Sequence, residues 1–302
     1  MVFPFREEVM VNIDELLAQR KALFEEFLAT YFSGLDMQSG IVRSCLYSIS
    51  AGGKRLRPIL VMLACEALGG TGKQALEAGL AIEMIHTFSL VHDDLPAIDN
   101  DDLRRGQPSC HKQFGEATAI LAGDALIFMA LEVISCADYV PDTKLDIIRA
   151  IADMCGYNGL VQGEYEDIMA EGRLLAPSEI EKIYYKKTAK LFELCMYCGG
   201  RIAHGDDKQL YALTQYGRNF GLAFQVIDDI LDVTSSGHGL GKTAGKDIVQ
   251  DKATLVKALD IEQSKAYAKD KTNKAIVSIA DIDSDSAKIL QDLAMTMLDR
   301  VI

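Results

Sequence analysis

The chain is 302 residues long, 49% hydrophobic, and carries 44 acidic against 31 basic side chains for a formal net charge of −13. That acidity argues against a general nucleic-acid or anionic-membrane surface, so any anionic substrate must be held by a local basic patch. Met1–Glu8 lacks a basic start leading into an apolar run, and the most apolar stretch, Ala117 to Ile134, is interrupted by Asp124 and Glu132; a cytoplasmic protein without a signal peptide or stable membrane insertion is expected.

Taken in chain order, Leu16, Leu17, Leu23, Phe24, Phe27, Leu28 and Tyr31 recur at helical spacing and predict an amphipathic helix over 7–32, with a shorter one near 40–50. Gly52-Gly53, followed by Lys54, Arg55 and Arg57, reads as a flexible basic loop. Pro58 suits the first turn of the next helix, to about Leu68, because its missing N–H costs nothing there. Residues 73–94 are apolar nearly all round, the mark of a central buried helix. On it His86, Ser89 and Asp93 share one face; taken alone, His86 is as readily a core histidine as a ligand. Pro96 ends this helix near Asp94, and a chain that curls there can bring Asp99 back towards Asp93.

Further helices are predicted at 115–137, 143–168, 177–204, 207–233, 252–270 and 285–301, and Gly159 with Gly163 would let two helices approach closely. No alternating strands, repeats or linkers stand out. Seven scattered cysteines fit reduced core residues of a cytosolic protein, and Cys195-x-x-Cys198 lacks zinc spacing and reads as helix interior. The expectation is one all-α domain spanning 1–302, a bundle of ten or more helices.

Two stretches carry the chemistry. Asp93, Asp94, Asp99, Asp101 and Asp102 crowd together where one apolar helix ends; Asp228, Asp229 and Asp232, with Gln225 on the same stripe, close another. Like charges four apart on a helix cost about 0.2–0.5 kcal/mol per pair, so such clusters need solvent or a cation. An isolated acidic run is usually a solvated loop. Two runs, each closing a buried helix, point instead to hard cations held between helices by oxygen ligands.

Lys54, Arg57, Arg104, Arg105, Lys186, Lys187, Lys242 and Lys252 recur beside these clusters. The glycine-rich run Ser235–Asp247 is not a nucleotide-binding P-loop, because Ser236 stands where that motif needs glycine and a helix precedes it. Carboxylate-held metals facing phosphate clamps in an apolar bundle suit ionisation of a diphosphate ester with an apolar tail. Magnesium would act as Lewis acid on the leaving diphosphate, and a dry wall would shield the carbocation.

These motifs resemble those of the trans-isoprenyl diphosphate synthases, most closely the bacterial-type farnesyl diphosphate synthases. The likeness runs from about residue 40 to the C-terminus. Gly52–Pro58 is similar to the family's GGKRxRP, Asp93–Asp99 to its first aspartate-rich motif, and Leu103-Arg104-Arg105-Gly106 completes that motif. Lys187-Thr188 matches the KT pair, Phe224–Asp232 matches FQxxDDxxD, and Gly241–Asp247 matches GKxxGKD.

The resemblance implies an isoprenoid synthase-like bundle around a central cavity, assembled as a homodimer. It implies Mg²⁺, three ions per site with Mn²⁺ as a substitute, held by Asp93, Asp94, Asp99, Asp228, Asp229 and Asp232. Lys54, Arg57, His86 and Arg105 would bind isopentenyl diphosphate. Arg104, Lys187, Lys242 and Lys252 would clamp the diphosphate of the allylic partner, dimethylallyl or geranyl diphosphate. Thr188 and Gln225 would lie along the allylic carbons, and the released diphosphate would take the final proton.

Phe88, five residues before Asp93 and roughly 7.5 Å back along the helix, would floor the tail cavity with Ser89 above it. On burial alone it reads as core. By resemblance, an aromatic residue there goes with the fifteen-carbon product, farnesyl diphosphate, with geranylgeranyl diphosphate as the alternative. Glu164 stands where the family usually has glutamine, Ala189-Lys190 follows the KT pair in place of Gly-Ala, and Asp299-Arg300-Val301-Ile302 lacks the short basic tail of many relatives. The intact second cluster disfavours a class I terpene cyclase and a non-catalytic partner subunit alike.

Overall fold

The computed structural model describes residues 13–234 and 252–302, and these are helical nearly throughout. Helix α1 (Ile13–Ser33) buries Phe24, Leu28 and Phe32, a single stripe at four-residue steps. In α2 (Gly40–Ile49) the Ser39 hydroxyl caps the start by accepting from the Val42 N–H. Pro58 sits in the first turn of α3 (Leu56–Ala67), as expected. A 3₁₀ turn at Gly72–Ala75 leads into α4 (Leu76–Asp93), which is buried on every side along most of its length.

After α4 come α5 (Cys110–Phe114), α6 (Glu116–Cys136), α7 (Pro141–Cys155), α8 (Leu160–Ala170), α9 (Pro177–Tyr184), α10 (Lys190–Ile202) and α11 (Asp207–Thr234). The C-terminal part holds α12 (Leu255–Ala258), α13 (Ile261–Ser278) and α14 (Asp285–Leu298). The main packing partners form a row, α6 on α4, α4 on α3, α3 on α10, α10 on α11 and α11 on α13. The carboxylate clusters therefore sit at the C-terminal ends of α4 and α11, two helices separated by the α3–α10 pair.

Several expected boundaries moved, each for a local reason. The helix expected over 143–168 is broken into α7 and α8. Gly159 caps the start of α8, and a Cβ there would meet Cys155 N at 2.9 Å, so this glycine serves the turn and not a helix crossing. The helix expected over 177–204 is continuous but widens into one π turn at Tyr185–Ala189. That expected over 252–270 is split, because Thr254 caps α12 and Asp260 caps α13, accepting from the Lys257 and Gln263 N–H groups.

Two strands and the short α5 were not anticipated. Leu103–Arg104 pairs antiparallel with Gln107–Pro108 through a turn in which Arg105 (φ 54°) and Gly106 (φ 79°) both adopt left-handed backbone. Two-residue strands are too short to show alternation. Arg55 corrects the expectation of a flexible basic loop: it is buried, donating to Glu25 (2.7 Å), Glu83 (2.8 Å) and the Ile49 carbonyl (2.7 Å). Six cysteines are buried and Cys136 is exposed, all as free thiols, with Cys195 and Cys198 inside α10 as expected.

By length and composition α6 could cross a membrane, with a mean hydropathy of 2.0 over its best window. One face packs on α4, whereas Ile120, Leu121 and Phe128 stand exposed on the helix.

Candidate active site

The chain beyond α4 curls as its proline suggests. The Asp99 N–H donates to the Asp93 carbonyl (2.8 Å) and the Asp101 N–H to that of Asp94 (3.1 Å), with Asn100 in left-handed backbone (φ 51°). Asp99 is thereby returned to Asp93. Both Asp94 oxygens face the Arg104 Nε, at 3.0 and 3.1 Å, and the same guanidinium reaches Asp101 at 3.6 Å. Burial works against the Arg104 charge, but Asp94 and then Asp101 outweigh it. Asp93 differs: burial first, then Glu164, push its carboxyl up to about 7, against the pull of Lys187 and Arg104.

The π turn displays Lys187 and Thr188. It can lie against α8 because Gly163 has no side chain; a Cβ there would meet Lys187 Cα at 2.6 Å and Lys186 C at 2.7 Å. Lys187 Nζ is gripped by Glu164 (2.8 Å) and Asp167 (2.7 Å), three residues apart on one face of α8. Burial opposes the Lys187 charge, yet Asp167, Glu164 and Asp93 together hold it above the ordinary lysine range. The Thr188 hydroxyl donates to Gln225 Oε1 (2.8 Å), and Gln225 Nε2 donates to Asp229 Oδ1 (3.0 Å). Asp229 Oδ2 accepts from the buried Tyr184 hydroxyl, which accepts in turn from the Leu255 N–H (3.0 Å). Asp228 is exposed on α11, and Lys252 Nζ donates to Asp99 Oδ1 (3.2 Å), tying the two halves of the site. Lys242 and the rest of Gly241–Asp247 lie outside the described residues.

Arg57, His86 and Arg105 come together beside this acidic half, whereas the charged neighbours of Lys54 are Arg300 and Asp228. Arg57 Nη1 is 3.2 Å from His86 Nε2, its guanidinium stacks on the Phe192 ring at 4.7 Å, and its buried Nε has no partner among the described residues. Arg105 donates to the Gly52 carbonyl, and a Cβ on Gly53 (φ 119°) would meet Arg105 Cζ at 2.7 Å, so Gly53 makes room for the guanidinium. Burial, then Arg57 and Arg105, hold His86 well below its usual range, so the imidazole is neutral at pH 7. Burial and the nearby Arg300 lower Lys54. Among the described residues none of Lys54, Arg57 and Arg105 is salt-bridged to a carboxylate. Partly buried cations without a direct carboxylate pair favour an anion beside them.

The hairpin explains how neighbouring arginines part company. Arg104 lies in its first strand and turns to Asp94, whereas Arg105 occupies the left-handed turn and points to the Gly52 loop. Phe88 is buried, its ring edge-on to His92 at 5.8 Å, and His92 Nε2 is 3.1 Å from the Ile120 carbonyl of α6. A Cβ on Gly123 would meet His92 Cε1 at 2.8 Å, so α6 backs Phe88 closely through His92. Ser89 is half-buried and donates to the His86 carbonyl (2.9 Å). A cavity of about 610 Å³ opens beside the second cluster, lined by Asp229, Asp232, Thr254, Val256, Lys257 and Asp260.

Glu164, Asp167 and Tyr184 are neighbours of the site that reading the sequence passed over as functional residues. The three-residue step from Glu164 to Asp167 was the available signal for the first two. Nothing local marks Tyr184.

The donor set suits a hard divalent cation. Asp232 Oδ2 is buried with no partner among the described residues, at the end of α11, and Asp93 is destabilised as an anion by burial and then by its carboxylate neighbours. No three ligating side chains converge on one point among the described residues, so the carboxylates frame an open site rather than a closed cage. Such a frame fits magnesium, which is held by one or two carboxylates together with substrate phosphates.

Comparison with known proteins agrees with this geometry. The polyprenyl synthetase family model matches residues 38–293. A farnesyl diphosphate synthase of Bacillus subtilis is 41% identical over 257 residues, covering 84% of this chain and 87% of its own. A chloroplastic geranylgeranyl pyrophosphate synthase of Capsicum annuum is 45% identical over 295 residues, covering 96% of this chain and 78% of its own. The fold matches the crystal structure of a geranyltransferase from Helicobacter pylori complexed with magnesium and isoprenyl diphosphate, with a TM-score of 0.84 at 28% identity. That match covers 97% of this chain and 98% of the other.

Proposed function

The chain belongs to the polyprenyl synthetase family, and from that premise we propose that it is a Mg²⁺-dependent prenyltransferase making (2E,6E)-farnesyl diphosphate. Isopentenyl diphosphate condenses first with dimethylallyl and then with geranyl diphosphate. The observation that carries this reading is the division of charge. Among the described residues Lys54, Arg57 and Arg105 have no carboxylate ion pair, whereas Lys187, Arg104 and Lys252 are matched to Glu164 and Asp167, Asp94, and Asp99. The first pocket attracts a bare diphosphate. The second attracts a diphosphate that arrives with cations.

Asp93, Asp94, Asp99, Asp228, Asp229 and Asp232 would hold the magnesium ions. Asp94 and Asp229 complete the two motifs and brace them through Arg104 and through Gln225 and Tyr184. Bound Mg²⁺ would supply Lewis-acid neutralisation of the leaving diphosphate. Lys187, Arg104 and Lys252 orient that diphosphate, with Lys242 as a further clamp carried over from the family. The allylic carbocation forms beside Thr188 and Gln225, whose oxygens present their dipoles to it. Arg57, neutral His86, Lys54 and Arg105 hold isopentenyl diphosphate with its double bond towards the cation, and the new carbon–carbon bond forms there. The released diphosphate then takes the proton from the adjacent carbon, which regenerates a double bond and explains the lack of an evident side-chain base.

Phe88 supports the fifteen-carbon product, because its ring, backed by His92 and α6, would close the channel below Asp93. A second reading, a twenty-carbon synthase, draws on relatives of that name at similar identity. We also read the protein as a cytoplasmic homodimer, with the exposed apolar side chains of α6 covered by a second copy. Incubation with Mg²⁺, isopentenyl diphosphate and labelled dimethylallyl diphosphate, followed by chromatography of the dephosphorylated products, tests the assignment. Farnesol supports it, geranylgeraniol selects the second reading, and a cyclic hydrocarbon or no turnover refutes both.

A further inference from the structure

Tyr184 is the last residue of α9, immediately before the π turn, and it is only 5% exposed. Its hydroxyl spans two elements distant in sequence. It donates to Asp229 Oδ2 at the C-terminal end of α11 and accepts from the Leu255 N–H at the first residue of α12. The other Asp229 oxygen is taken by Gln225, which carries the Thr188 hydrogen bond. Three residues before Leu255, Lys252 reaches back to Asp99 of the first cluster. A path of hydrogen bonds therefore runs Asp229, Tyr184, Leu255 and, along the chain, Lys252 to Asp99. The phenol is a buried junction on that path, bonded on both sides.

We propose that Tyr184 is a positioning residue: it fastens the Lys252-bearing segment to the second carboxylate cluster and so sets the spacing at which the two clusters grip a magnesium-bound diphosphate. The proposal rests on the assignment of the carboxylate clusters to magnesium and diphosphate. It adds a residue that touches no substrate and acts through Asp229 and Leu255. A phenylalanine keeps the ring and its packing but removes both the donor and the acceptor. In Tyr184→Phe the Leu255 amide loses its partner, and Asp229 keeps Gln225 on Oδ1 but loses the bond to Oδ2. Outer-shell partners of metal ligands typically contribute about 10–100-fold to metal affinity.

The test compares Tyr184→Phe with Tyr216→Phe, which deletes an equally buried hydroxyl bonded to the Leu290 carbonyl (2.6 Å) in α14. Hydrogen exchange in the metal-free protein reads the first link: amides of 252–259 should exchange about tenfold faster in Tyr184→Phe and be unchanged in Tyr216→Phe. Calorimetric titration with Mg²⁺ and inorganic diphosphate reads the second. Affinity should fall about tenfold in Tyr184→Phe and stay at the parent level in Tyr216→Phe. Steady-state kinetics should show a raised KM for the allylic substrate with that for isopentenyl diphosphate unmoved. Unchanged exchange at 252–259, unchanged magnesium–diphosphate affinity, or an equal loss in both variants would each overturn the proposal. Failure of the functional reading itself would show separately, as an unmutated protein that neither binds magnesium–diphosphate nor turns over.

Discussion

Gly163 is the position where a single methyl group should separate activity from stability. The π turn that presents Lys187 and Thr188 lies directly on it, and an alanine Cβ would stand 2.6 Å from Lys187 Cα and 2.7 Å from Lys186 C. Ordinary carbon contacts begin near 3.5 Å, so the turn or α8 must retreat by roughly 1 Å. The contacted atoms are backbone, and no side chain can swing aside to absorb the change. Overpacking of this kind costs about 1–3 kcal/mol, offset in part by the roughly 1 kcal/mol that alanine gains over glycine inside a helix. The net loss of zero to about 2 kcal/mol corresponds to a fall of a few degrees in Tm. The catalytic loss should be far larger, because displacing positioning groups by about 1 Å can cost a factor of the order of 100 in kcat. Steady-state turnover with both diphosphates and scanning calorimetry on Gly163→Ala read the two effects. Gly40→Ala, whose Cβ would meet nothing within 4 Å, is the control. If Gly163→Ala turns over within about threefold of the parent, less than 1 kcal/mol on the barrier, the π turn does not need this close approach and the reasoning fails.

Phe88→Ala should remain active but lengthen the products to twenty carbons or more, read by chromatography, at a stability cost of about 3–5 kcal/mol for a nearly buried ring. Arg105→Ala should chiefly raise the KM for isopentenyl diphosphate. Arg104→Ala should impair the allylic substrate and also lower Tm, since it removes the Arg104 ion pair from buried Asp94, a loss of up to about 3–5 kcal/mol. Asp93→Ala or Asp232→Ala should abolish turnover without lowering the metal-free Tm, because each removes a repelled or unpartnered carboxylate. Asp93 also predicts a pH effect. Its folded-state pKa is raised from 3.8 to about 7, so its protonated form is favoured by folding, and that contribution is lost as pH rises through about 7. Metal-free melting followed from pH 4 to pH 8 should therefore decline more steeply in the parent than in Asp93→Asn, and parallel curves would contradict the shift.

Much of this molecule is legible before folding. The apolar run 73–94, the stripe through 207–233 and the proline after Asp94 suffice to predict two buried helices that end in carboxylates, because hydrophobic period and the missing proline N–H are properties of the chain alone. The return of Asp99 to Asp93 follows from the same local rules. Other features depended on partners distant in sequence. Lys54, Arg55 and Arg57 look alike in one short loop, yet Arg55 is consumed by Glu25 and Glu83 while its neighbours have no salt bridge among the described residues.

Arg104 and Arg105 are indistinguishable as residue types. A two-residue hairpin too short to leave a pattern sends one to Asp94 and the other to Gly52. The π turn, the grip of Glu164 and Asp167 on Lys187, and the Tyr184 junction were likewise decided by packing. Whether a polar group is paired, stranded or shared depends on which helices meet there, and that is settled only when the bundle closes.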